Sequence, residues 1–142
     1  MRLSKFVEKY TGTKIDYDNA YGPQCVDLFR TYCSEVLNIP HTGAVNGAKD
    51  LWLKYDVLEL EQGYFYQIEP KEDGLGGDVA IWGESSSNPF GHVAIVLEDR
   101  GNVLKCFSQD GLSDNPFADI IFLRKDNLLG YLRPNIFTEI IL

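Results

Sequence analysis

Asp16-Tyr17-Asp18-Asn19-Ala20-Tyr21-Gly22-Pro23-Gln24-Cys25-Val26-Asp27-Leu28 is the stretch on which the reading of this chain turns. Gly22-Pro23 breaks the chain. From Cys25 onward Val26, Phe29, Tyr32, Cys33, Val36 and Leu37 recur at the helical period, and Asn38-Ile39-Pro40 ends the run. A cysteine therefore stands at the start of a helix. Backbone amides at that end carry a partial positive charge, which favours thiolate over thiol. A free cysteine also serves commonly as a small apolar side chain, and Cys25 read in isolation fits either role.

Working outward, Leu3, Phe6, Val7 and Tyr10 have helical spacing up to the break at Thr11-Gly12-Thr13, and a short helix is expected over Ala48–Lys54. The second half changes character. Strands are expected at Asp78–Trp82, His92–Leu97, Val103–Phe107, Ile120–Leu123 and Gly130–Leu132. Helices first and an antiparallel sheet afterwards make an α+β layout. A turn at Asp99-Arg100-Gly101-Asn102 makes a hairpin whose pairing sets His92 against Ser108-Gln109-Asp110. A histidine oriented by a neighbouring carboxylate or carboxamide is the second half of a thiol-hydrolase site. Equally, a histidine at a strand end can be half-exposed and idle. The other histidine, His41, lies in the loop Pro40-His41-Thr42-Gly43, and a strand holds His92 more rigidly.

At 142 residues and 44% hydrophobic, with no repeat, low-complexity tract or linker, residues 1–142 read as a single domain with one core. A net charge of −8 argues against a nucleic-acid partner, which calls for a basic face. No run has the length of a membrane span, and the start Met1–Lys9 lacks the apolar core of a secretory signal. Cys25 and Cys33 are too far apart on one helix to bond, Cys106 sits in an apolar strand, and all three cysteines read as reduced. No glycine run is placed to cradle phosphate, and no Cys or His pair has zinc-ligand spacing. Asp16, Asp18 and Asp27 read either as solvated carboxylates or as oxygens gathered around calcium. Their spacing is not that of an EF-hand.

The stretch from Asp16 to Leu28 resembles the cysteine motif of the CHAP domain, the cysteine, histidine-dependent amidohydrolase/peptidase family within the NlpC/P60 papain-like group. Gly47-Ala48-Lys49-Asp50-Leu51-Trp52, Gly77-Asp78-Val79-Ala80-Ile81-Trp82, Gly91-His92-Val93-Ala94-Ile95-Val96 and Gly130-Tyr131-Leu132-Arg133-Pro134 continue the resemblance in order along nearly the whole chain. It implies a papain-like α+β fold, with N-terminal helices packed on a twisted antiparallel β-sheet. The implied activity is a peptidoglycan hydrolase, an N-acetylmuramoyl-L-alanine amidase or a cross-bridge endopeptidase, of the phage endolysin or tail-associated lysin type. The alternatives are a papain-like amidohydrolase on a non-wall amide, and a non-catalytic phage structural or wall-binding domain.

In that resemblance Cys25 is the nucleophile and His92 the general base and acid. The Cys25 N–H, with the Gln24 side chain, stabilises the oxyanion. Where lytic members commonly show Glu-Gln-Asn, this chain has Ser108-Gln109-Asp110, and the role of orienting the imidazole goes to Asp110. Calcium-binding members place ligands where this chain has Asp16, Asp18 and Asp27 and the carbonyls of Ala20 and Gly22, so a structural Ca²⁺ is expected. The expected partner is bacterial peptidoglycan, with no nucleic acid and no membrane. The chain is expected to be a monomer without a separate wall-binding module, and to act on the wall after release from a host cytoplasm or from a virion.

Overall fold

The computed structural model describes residues 1–17, 24–40, 45–109, 116–136 and 142. Helix α1 (Leu3–Tyr10) buries Leu3 and Phe6, the residues that the helical period places on one face. Helix α2 (Cys25–Tyr32) buries Val26, Leu28, Phe29 and Tyr32, then widens into a π-turn over Cys33–Leu37. Asn38 closes that turn in the left-handed conformation, φ 55°, a role suited to its short polar side chain. The two helices are tied at their far ends, where Lys9 Nζ donates to Glu35 at 2.8 Å and the Tyr10 hydroxyl donates to the same carboxylate.

Helix α3 (Asp50–Leu53) is shorter than the run from Ala48 to Lys54 suggests. A 3₁₀ turn at Tyr55–Val57, helix α4 (Glu59–Tyr64) and strand β1 (Phe65–Ile68) follow it, none of them anticipated from the sequence. The remaining strands are β2 (Val79–Trp82), β3 (His92–Asp99), β4 (Val103–Ser108), β5 (Asp119–Arg124) and β6 (Leu128–Pro134). All pair antiparallel, in the order β1-β6-β2-β3-β4-β5. This is the α+β architecture expected from the chain.

Period-two alternation sorts the strand residues onto two faces. Val79, Ile81, Val93, Ile95, Phe107 and Leu132 join the helices in the main core, where Phe6 meets the Phe107 ring edge-on at 5.8 Å. Ala80, Trp82, Ala94, Val96, Leu104, Cys106 and Tyr131 form a second buried cluster on the other face. Burial on both sides explains why β2 and β3 read as apolar runs rather than alternating ones. Helix α2 packs across β3, which brings the Cys25 helix over the strand that begins at His92.

The β3–β4 ladder is not regular along its length. Near the turn, Asp99 pairs with Leu104 and Glu98 with Lys105; beyond a bulge at Leu97, Val96 pairs with Cys106 and Ile95 with Phe107. A bulge inserts one residue and flips which face the later residues share.

Candidate active site

Cys25 is the first residue of α2 and is half-buried. Gln24 caps the helix in an extended conformation, and its N–H donates to Asp27 Oδ2 at 2.9 Å, the return half of a capping box. Asp27 is 2% exposed, so its carboxylate is an internal brace for the turn that presents Cys25. Cys33 and Cys106 are both fully buried. Burial pushes the Cys106 thiol up to about 12 and the Cys33 thiol higher still. The nucleophile is the thiolate, so these two are inert packing groups. Iodoacetamide on the folded protein near neutral pH is therefore expected to add a single carbamidomethyl group, at Cys25. Peptide mapping by mass spectrometry reads the site, and comparable labelling of Cys33 or Cys106 would contradict this assignment.

His92 opens β3 directly after Gly91, whose φ is +74°. A Cβ at Gly91 would fall 2.4 Å from the Trp82 carbonyl oxygen, so only glycine lets the chain enter the strand here. The Gly47–Trp52 segment backs this entrance, with the Lys49 N–H donating to the Phe90 carbonyl at 3.0 Å. The His92 ring lies beside Trp82, centroids 5.8 Å apart.

His92 Nε2 sits 2.7 Å from the Ser108 hydroxyl. The bulge makes this possible. In the register nearest the turn, Ser108 would stand opposite Ile95, on the helix side; past Leu97 it shares the face of Ala94 and His92. Gln109, the next residue, points the other way. Its carboxamide accepts the Ile15 N–H at 2.7 Å and donates to the carbonyls of Ile15, 2.7 Å, and Gln24, 3.0 Å. Two consecutive residues at the end of β4 thus hold both halves of the site: Ser108 the imidazole, Gln109 the peptide leading into Cys25.

The hairpin register expected from the sequence set His92 against this tripeptide, but the orienting role went to Asp110. Asp110 lies outside the described residues, and the hydroxyl found at His92 Nε2 is that of Ser108. Ser108 and Gln109 were legible as members of the stretch that the hairpin sets against His92, and as the counterparts of the glutamate and glutamine in the family's Glu-Gln-Asn, with no separate role for either.

Of the expected calcium ligands, Asp18 and the carbonyls of Ala20 and Gly22 lie outside the described residues, as does His41. Asp16 and Asp27 lie within them. Asp16 Oδ1 is buried with no hydrogen-bond partner among the described residues, and such an oxygen suits a hard cation. Asp27 Oδ2 is engaged by Gln24, so a ligand role for Asp27 would have to be shared with helix capping. No cluster of three or more metal-ligating side chains forms among the described residues. No helix there is long and apolar enough to cross a membrane.

Solved structures with the same fold include Ly7917, at TM-score 0.64 and 17% identity over 91% of this chain and 60% of that one. The wild type endolysin LysIME-EF1 gives TM-score 0.65 and 22% identity over 94% of this chain and 64% of that one. A protein of the NLP/P60 family from Staphylococcus aureus subsp. aureus Mu50, described as similar to lipoprotein, gives TM-score 0.50 and 19% identity over 92% and 39%. The chain therefore spans less than two thirds of the length of each, and at these identities the likeness establishes the fold. A search of the curated proteins found no match. The family model of the CHAP domain matches residues 14–106, a span that holds both Cys25 and His92. With well over half of its length matched, and with the fold of those structures, the chain belongs to the CHAP domain family.

Proposed function

We propose that this protein is a peptidoglycan hydrolase of the endolysin type, a cysteine-dependent amidase or cross-bridge endopeptidase. The observation that carries the reading is the Ser108-Gln109 junction, where the His92 imidazole and the Gln24–Cys25 peptide are held by adjacent residues of a CHAP chain. The endolysin LysIME-EF1 among the structural relatives supports the choice of substrate.

In this mechanism His92 takes the thiol proton, giving a thiolate–imidazolium pair at the positive end of α2. The imidazolium donates its Nε2–H to Ser108 Oγ, which leaves Nδ1 to exchange protons at the thiol. Sγ attacks the amide carbonyl carbon, and the carbonyl oxygen takes up negative charge beside the Cys25 N–H. Collapse breaks the C–N bond, His92 protonates the departing amine, and water then hydrolyses the thioester with His92 as base. Ser108 supplies direction without charge, so the imidazolium draws its stabilisation from the thiolate, and Asp110 is the carboxylate proposed to add to it.

The test is digestion of purified bacterial walls followed by mass analysis of the released muropeptides. A new L-alanine amino terminus identifies the amidase, a new cross-bridge terminus the endopeptidase. Walls left intact, alongside turnover of some other amide, would transfer the protein to the non-wall reading.

A structural Ca²⁺ belongs to the same proposal. Asp16 and Asp27 would hold it with Asp18 and the carbonyls of Ala20 and Gly22, and the ion would tie the loop to the catalytic helix. A ligand that binds only the folded state stabilises it by about 2.7 kcal/mol at a hundred-fold excess over its Kd. Chelation is therefore expected to lower the melting temperature by about 5 °C or more, with recovery on adding Ca²⁺ but not Mg²⁺. Asp16→Asn should remove most of that response. A melting curve that ignores chelator would dispose of the calcium site and leave the hydrolase reading intact.

A further inference from the structure

We propose that Gln109 is the positioning residue of the oxyanion-binding peptide, an inference that rests on the thiol-hydrolase reading above. Gln109 is 1% exposed, and both amide hydrogens and the carbonyl of its side chain are committed. Two of its three bonds, to Ile15, fasten the loop that leads toward the site. The third does something different. It grips the carbonyl oxygen of Gln24, and that carbonyl belongs to the peptide group whose nitrogen is that of Cys25.

A peptide group is planar, and every peptide bond among the described residues is trans, so the C=O and N–H of one unit point in opposite directions. Holding the Gln24 carbonyl toward the buried Gln109 amide directs the Cys25 N–H away from it. The same oxygen also accepts the Asp27 N–H at 3.1 Å, a bond made by the first turn of α2. The helix bond leaves the plane free to rock about its ends; a second donor from the sheet fixes it. Electrostatic stabilisation of an oxyanion depends on a donor aimed in advance, so the orientation of this one plane is worth a large factor in rate. The Gln109 amide is thus the means by which β4 sets the donor, just as Ser108 beside it sets the imidazole.

Two reactions of the same thiol separate this role from that of a loop fastener. Acylation by p-nitrophenyl acetate forms the C–S bond through a tetrahedral oxyanion, and p-nitrophenolate leaves with the electron pair of the broken C–O bond. Alkylation by iodoacetamide displaces iodide in one step and forms no oxyanion. The rate ratio of acylation to alkylation at Cys25 therefore reports the oxyanion donor with thiolate content divided out.

Gln109→Met removes both donors and the acceptor at similar length. Gln109→Glu keeps an acceptor for the Ile15 N–H and loses the amide donors. In each variant, assayed well below its melting temperature, the ratio is expected to fall by about 10²-fold, with the alkylation rate and its pH profile within about two-fold of the parent. A ratio equal to the parent's in a folded variant overturns the proposal. So does a parent ratio no higher than that of N-acetylcysteine, which can be measured even if both variants fail to fold. If the parent shows the raised ratio and the variants lose it, but the parent does not cleave walls, the substrate assignment fails and the role of Gln109 stands.

Discussion

Cys25→Ala is expected to lower wall hydrolysis by about 10⁴-fold or more while leaving the melting temperature within a few degrees of the parent. The size of the loss reflects what the sulfur does. No other described thiol can replace it, because Cys33 and Cys106 are fully buried and their burial holds them protonated. The small structural cost reflects position: Cys25 is half-buried at a helix start, so removing Sγ opens little cavity. His92→Ala should produce a loss of similar order by a different route. Without the imidazole the Cys25 alkylation profile should move toward that of an ordinary thiol, near pH 8.5. Measuring wall clearing and alkylation on both variants checks the pairing. Clearing by Cys25→Ala at the parent's rate would remove the thiol from the mechanism, and an unshifted alkylation profile in His92→Ala would remove the histidine.

How much of the fold and site was legible in the sequence depends on which interactions are local. Helices α1 and α2 and strands β2 to β6 carry their signals within a few residues, as periodic apolar positions between turn residues. Helix α4 and β1 do not. Glu59–Tyr64 is under two turns long and contains Gly63, and in Phe65–Ile68 only Phe65 is buried. β1 exists because β6, at the far end of the chain, pairs with it at Phe65↔Pro134 through Ile68↔Tyr131. No local pattern encodes such a partner. The site divides the same way. A thiol at a helix start and a histidine at a strand start are local features. The contact between His92 and Ser108 requires the bulge at Leu97, and the hold of Gln109 on Gln24 joins residues far apart in the chain. The tripeptide was found from hairpin geometry; which of its side chains meets which half of the site was decided by tertiary packing.

Arg133→Ala is expected to cost about 3–5 kcal/mol of folding stability, which places it far above an ordinary surface ion pair. Asp78 is fully buried at the entrance to β2, and Arg133 on β6 grips both its oxygens, Nε to Oδ1 at 3.0 Å and a terminal nitrogen to Oδ2 at 2.9 Å. The Leu75 N–H adds a third bond at 2.8 Å, and Arg133 also reaches the Asp73 carbonyl. Burial is the larger influence on Asp78 and raises its pKa above the usual carboxylate value even with these partners in place. Removing the guanidinium withdraws the main opposing effect and raises it further. The variant's folded state then binds a proton that its unfolded state releases at an ordinary carboxylate pKa. Its stability deficit should therefore be greatest above that raised folded pKa and should shrink as pH falls through it toward the unfolded value. Urea unfolding of parent and variant across that range measures both the size and the slope. A deficit under about 1 kcal/mol, or one that grows as pH falls, would mean that the pair behaves as a solvated one. Asp78→Leu combined with Arg133→Leu should recover much of the loss, since it leaves no buried charge unpaired. The pair matters to the site through β2, which stands between β6 and β3 and pairs Trp82 with His92. The pair thus braces the strand whose other end, at Trp82, lies against His92.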